Sequence, residues 1–170
     1  YIDGKEVEIN NPWTALKQGI AFVPEDRQAQ GLVLPMNITH NITLPVLDRF
    51  SKRGWVNQQR ERRNAKEYAD MLNIKAHGLW EPVMKLSGGN QQKVVLAKWL
   101  ATNPKILILD EPTRGVDVGA KVAVHEFVSQ LASRGVAIIM MSSELPEILG
   151  MSDRVMVMFE GRIVQEFARE

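Results

Sequence analysis

Residues 106–112 read ILILDEP. Four aliphatic residues in succession leave no polar side, so both faces ask for cover, as in the central strand of a parallel sheet. The run ends in two carboxylates, Asp110 and Glu111. Ligands of open α/β sheets bind at the carboxyl ends of the strands. Adjacent residues on an extended chain point to opposite sides, so the two acids cannot share one task. One can hold a hydrated Mg²⁺ while the other addresses a water, the division of labour that phosphoanhydride hydrolysis requires. An ordinary strand end with two solvated acids is the bland alternative.

The flanks repeat the pattern. Val124, Phe127, Val128 and Leu131 mark one face of a helix over about 119–133. Val136–Met141 (VAIIMM) predicts a second strand buried on both faces, and a short helix over Glu144–Leu149 follows. Val155–Phe159 and Arg162–Phe167 read as strands joined at Glu160-Gly161. Upstream, a helix from Gly88 to about Ala101 must stop before Pro104. This alternation predicts an α/β domain built on a mainly parallel sheet.

That upstream helix opens LSGGNQQK, residues 86–93. Its glycines leave the backbone N–H groups of residues 88–90 unobstructed, and the helix dipole adds positive potential. Ser87 can offer its hydroxyl to the same anion or merely cap the helix. Capping alone would suit any Ser-Gly-Gly, and it does not account for the DEPTRGVD downstream.

The first 85 residues are less regular. YIDGKEVEI suggests a hairpin at Asp3-Gly4. Asn11-Pro12 can cap a short helix over WTALKQ, and Gly19–Val23 reads as a buried strand. Residues 25–85 are polar, with helical signals and almost no strand character. The clearest helix is 58–73, crowded by Arg60, Arg62, Arg63 and Lys66, a solvated face or a docking surface.

With 170 residues, 45% hydrophobic, the chain can bury one core. A net charge of +1 gives no field for nucleic acid or an anionic membrane. Cysteine is absent, which excludes disulfides and thiolate metal sites. His40, His77 and His125 are too scattered in sequence for a metal set and read as structural or exposed. Trp13, Trp55, Trp80 and Trp99 read as packing residues, since no basic stripe accompanies them.

LSGGNQQ followed by ILILDEPTRGVD resembles the signature motif, Walker B strand and D-loop of ATP-binding cassette ATPases, a P-loop NTPase fold. GIAFVPEDR, LSGGNQQK and DEPTRGVDVGAK together resemble the second, C-terminal cassette of monosaccharide-type sugar importers. The resemblance implies three segments: 1–24, the remainder of the N-terminal β part and the strand before the Q-loop; 25–85, the Q-loop and a helical subdomain; 86–170, signature, Walker B, D-loop, switch region and C-terminal strands. It implies ATP and Mg²⁺ as ligands. Asp110 would be the magnesium acid and Glu111 the catalytic base. Glu25 would stand at the Q-loop place, near Mg²⁺ and the attacking water. Ser87, Gly88 and Gly89, with Asn90 and Gln91 beside them, would meet the γ-phosphate of ATP held by the opposite cassette. Asp117 would be the D-loop acid that crosses the interface.

The implied partners are a first cassette of the same chain or a second ATPase copy, head to tail, and transmembrane permease subunits. A periplasmic or extracellular sugar-binding protein would act indirectly, and nucleic acid is not expected. The implied location is the cytoplasmic face of the cell membrane. Two departures stand out. Ser143 occupies the switch position, where these cassettes carry a His, and serine cannot carry positive charge. No G-x-x-x-x-G-K-[ST] occurs in the sequence, which suggests a fragment that starts just past its P-loop. Ser143 keeps open a reading as a non-catalytic cassette that only donates LSGGNQQK. A soluble, non-transport ABC ATPase is the remaining alternative, disfavoured by the charge and by the lack of basic insertions.

Overall fold

The structure is a computed structural model that describes residues 1–169. Glu170, the last position of the 86–170 segment, lies outside the described residues. Asn11 starts α1 (Pro12–Lys17) as expected, its side chain accepting from Thr14 N–H while Pro12 supplies a preset φ. β1 (Ile20–Val23) follows. A wide helical turn over Arg27–Gly31, capped by Asp26, carries the chain away from the sheet. α2 (Ile38–Thr43) is capped by Asn37, and α3 (Gln58–Met71) by Asn57. Between them lies a ribbon of β2 (Ser51–Lys52) and β3 (Trp55–Val56). Then come α4 (Gly88–Leu100), β4 (Ile106–Asp110), α5 (Val118–Ser133), β5 (Ala137–Met141) and α6 (Leu145–Met151). β6 (Arg154–Phe159) and β7 (Arg162–Ala168) pair antiparallel through Glu160 and Gly161, both at positive φ.

β1, β4 and β5 form one parallel sheet with β4 in the centre. Val23 lies opposite Leu109, and Asp110 opposite Met141, so all three strands end at one edge. Alternation then sorts the side chains. Ala21, Val23, Leu107 and Leu109 point into the core beside Val94, Val95 and Leu96 of α4. Val23, Leu107 and Leu109 each contribute about 1.5–3 kcal/mol by leaving water.

Several expectations need correction. The opening hairpin shrinks to a single bridge between Ile2 and Lys5. β5 is not buried on both faces: Ala137, Ile139 and Met141 are exposed, as is Phe22 on β1. An apolar run allows two covered faces, but only the α4 side is covered among the described residues. β6 and β7, the expected strands joined at Glu160-Gly161, form their own two-stranded sheet. Three tryptophans do not pack. Trp13, Trp55 and Trp80 are largely exposed, and only Trp99 leans on the core.

α2 and α3 pack on the far side of α4 through Ile38, Ile42, Ala65 and Ala69. α4 is therefore buried nearly all round, Gln91, Gln92 and Lys98 included, wedged between the sheet and the helical part. Its N-terminus carries LSGGNQQK.

Candidate functional site

At the sheet edge the chain turns sharply. Glu111 sits at φ 45°, in the left-handed region, where a non-glycine residue carries strain of roughly 1 kcal/mol or more. Its N–H still donates to Met141 O at 2.9 Å, extending the β4–β5 ladder by one bond. Its carboxylate Oε1 accepts from Ser143 N–H at 2.7 Å. The acid is thus oriented by the backbone of the loop after β5, in a charge-assisted bond. Asp110, half-buried beside it, enters no ion pair among the described residues.

Two residues beyond Glu111, the Thr113 hydroxyl is buried and donates to Glu147 Oε1 at 3.0 Å. His125 Nε2, on α5, lies 2.6 Å from the same oxygen. An ionised carboxylate only accepts, so Nε2 carries the proton. Burial alone would raise the Glu147 carboxyl. Hydrogen bonding from Ser142, His125 and Thr113, with the charge of His125, outweighs burial and holds it below the usual carboxylate range. Ser142 Oγ also accepts from Glu144 N–H at 3.0 Å, and Glu147 Oε2 is left without a partner.

A second set of contacts joins the end of β1 to the same turn. Glu25 makes an ion pair with Arg114. Arg27 Nη1 donates to Arg114 O at 3.0 Å, and Nη2 to Gly115 O at 3.2 Å. The guanidinium lies so close to Gly88 that a Cβ there would stand 2.8 Å from Nη2. At Gly89 a Cβ would meet Ala120 Cβ at 2.9 Å and Asp117 Oδ2 at 3.3 Å. Asp117 caps α5, accepting from Ala120 N–H at 2.9 Å. The two glycines are therefore a packing requirement: the signature helix docks against the turn that follows the acids.

Ser87 caps α4, and Asn90 Nδ2 donates to its hydroxyl at 3.0 Å. Asn90 Oδ1 accepts from Lys75 N–H at 2.8 Å. Beside them opens a cleft of ≈ 570 Å³ lined by Lys75, His77, Glu81, Lys85, Ser87 and Asn90. Asp110, Glu111 and Ser143 do not line it. Gln91 differs from the phosphate-side expectation. It is buried, accepts from Gln28 Nε2 at 3.0 Å and donates to Val83 O, so its amide is spent inside the protein.

The structure thus brings Asp110, Glu111, Glu25 and Ser143 to one edge and Ser87, Gly88, Gly89 and Asn90 to another, with Asp117 between helices. No group of three His, Cys, Asp or Glu side chains suited to a metal occurs among the described residues. Mg²⁺ needs no such group, since it keeps waters and takes one or two carboxylates together with phosphate oxygens. Asp110 fits that role; Glu25 would first have to leave Arg114. Sequence reasoning missed Arg27, Arg114, Thr113 and Glu147. The PEDR and DEPTRG spellings contained the first three without showing that they meet.

A buried strand ending in paired acids, joined to a glycine-opened helix start, defines a cassette-type nucleotide fold. The ABC transporter family profile matches residues 1–114, and the chain belongs to that family. It is 56% identical over 169 residues to the ribose import ATP-binding protein RbsA 3 of Rhizobium etli, covering 99% of this chain and 33% of that protein. It is likewise 56% identical over 170 residues to the xylose import ATP-binding protein XylG of Moorella thermoacetica, covering 100% of this chain and 34% of that protein. The chain spans about a third of the length of these curated relatives. A nucleotide-free ATP-binding cassette from an ABC transporter superimposes with TM-score 0.83 at 23% identity, covering 100% of this chain and 69% of that one. A dimeric post-hydrolysis cassette bound to ADP and Pi gives 0.80 at 23% identity, covering 99% and 72%. These two likenesses carry the fold. No helix among the described residues is long and apolar enough to cross a membrane.

Proposed function

We propose that the chain is the C-terminal part of the second cassette of an ATP-hydrolysing sugar importer subunit. The observation that carries this is Glu111, a left-handed acid at a strand end whose carboxylate is held at 2.7 Å by Ser143 N–H. In this reading Glu111 is the base that orients and deprotonates a water. Asp110 would hold Mg²⁺, which when bound supplies charge neutralisation at the phosphates. Glu25, released from Arg114, would face the same water. Ser143 has a hydroxyl to offer the γ-phosphate beside the main-chain N–H already spent on Glu111. Ser87, Gly88, Gly89 and Asn90 would meet the γ-phosphate of ATP on a facing cassette, and Asp117 would sit at that junction. The separation of the acid edge from the Ser87 cleft supports a head-to-tail arrangement in which each serves a different nucleotide. The partners would be another cassette and permease subunits at the cytoplasmic face of the membrane, with a sugar-binding protein outside.

The test is ATP turnover of the full-length protein. Glu111→Gln is expected to slow hydrolysis roughly 10²–10⁴-fold while equilibrium ATP binding is kept. A cassette that only donates its signature is the second reading, favoured by the uncharged Ser143. Under that reading Glu111→Gln leaves turnover unchanged while Ser87→Ala still lowers it.

A further inference from the structure

Glu147 is a carboxylate buried to 2% side-chain exposure, and the reading above gives it nothing to do. Packing alone does not call for an acid there: an apolar residue of similar volume commonly serves a buried site as well or better. Its partners define its place. Thr113 follows Glu111 by two residues and gives Glu147 its hydroxyl hydrogen bond. Glu147 N–H donates to Glu144 O at 3.0 Å and Glu144 N–H to Ser142 Oγ at 3.0 Å, and Ser142 directly precedes Ser143, whose N–H holds the Glu111 carboxylate. His125 closes the group from α5. Glu147 therefore touches the loop after β4 and the loop after β5, the two segments that fix Glu111 at its backbone and at its carboxylate.

We propose that Glu147 is a positioning residue: by tying Thr113 to the Ser142–Ser143 loop and to His125, it sets the direction in which Glu111 presents its carboxylate. Glu147 does not touch substrate. The inference rests on the ATPase reading, with Glu111 as the group being aimed.

Steady-state ATP hydrolysis of the full-length protein tests it, with thermal unfolding run alongside. Glu147→Gln keeps the shape but turns the charged acceptor of Thr113 and His125 into a neutral amide oxygen, which holds both more weakly, and it places an NH2 donor where Oε2 stood. It should lower kcat about 10–100-fold, since small misplacement of a reacting group costs that much, and leave KM for ATP within about twofold. In a Glu111→Gln background the same change should lower the residual rate no further, because there is no carboxylate to aim. Thr113→Val, which removes only the hydroxyl, should reproduce the kcat loss and serves as the second variant if Glu147→Gln does not fold. His125→Gln, which can still donate to Glu147, should retain more turnover than His125→Phe. An unchanged kcat in folded Glu147→Gln and Thr113→Val overturns the proposal. So does an equal loss in both Glu111 backgrounds, which marks a structural role only. Absence of turnover in the unmutated protein would instead overturn the ATPase reading and this inference with it.

Discussion

The signature end of α4 and the acid edge of the sheet lie on opposite sides of one turn, residues 111–117, and are made of different materials. The signature end is backbone. Two glycines, a Ser cap and a helix start present N–H groups with little help from distant residues. The acid edge is side chain, and each part of it is held from elsewhere: Glu111 by Ser143 N–H, Thr113 by Glu147, and Glu25 by Arg114, which engages its carboxylate. The difference teaches where each half is fragile. The backbone half fails by crowding, and the side-chain half fails by loss of a partner.

Crowding gives the larger structural effect. Gly89→Val would drive a branched side chain into Ala120 Cβ, already 2.9 Å from the position of a Cβ at 89. The expected destabilisation is about 1–3 kcal/mol, read by denaturant unfolding. A fully stable Gly89→Val would remove docking of α4 on α5 as the reason for that glycine. Arg27→Gln should cost less. It deletes two donors to the carbonyls of Arg114 and Gly115, each worth about 0.5–1.5 kcal/mol net, and those carbonyls can turn to water. The Glu25–Arg114 pair, largely exposed, adds at most about 1 kcal/mol. Losing Arg27 should blur the two halves, because its guanidinium is bonded to the acid turn while resting against Gly88.

How legible each half was in the sequence follows from the same difference. Glycine spacing and a strand end are local, so LSGGNQQK and ILILDEP could be read where they stand. β4, α4 and α5 came out within a residue or two for that reason. Partners distant in sequence were not legible. In LPEILGM hydropathy does not show the inward face: Leu145 and Leu149 face out and Glu147 faces in. The reason is tertiary: Thr113 and His125 wait for an acceptor there. Gln91 reads as one more polar residue of the signature, but Gln28 and Val83 draw it inside. β5 looked covered on both sides because composition reports what could be buried, not what packs against it.

Acid titration sharpens the comparison on the side-chain half. Glu147 has a folded pKa below its ordinary value, about 4.3 when exposed. The sign follows: its stabilisation is fully present above that ordinary value and fades as pH falls through the lower folded one. Relative to Glu147→Gln, the unmutated protein should therefore lose stability more steeply as pH drops below about 4.3. Parallel pH curves of the thermal midpoint would show that Glu147 is not held ionised by its neighbours.

The smallest effect is expected at Ser143, and the reason separates main chain from side chain within one residue. What orients Glu111 is Ser143 N–H, which every residue except proline retains. The Ser143 side chain is exposed and enters no hydrogen bond that Glu111 depends on. Ser143→His therefore leaves the hold on Glu111 intact and adds an imidazole at the open edge. Stability should stay within about 0.5 kcal/mol, and ATP turnover of the full-length protein within about twofold, the factor that energy corresponds to. The imidazole can donate to a γ-phosphate and carry charge at lower pH, so any gain in turnover should grow as pH falls toward 6.5, the ordinary imidazole value. A folded Ser143→His protein without turnover would mean that the serine hydroxyl itself, not the N–H behind it, is what the acid edge requires.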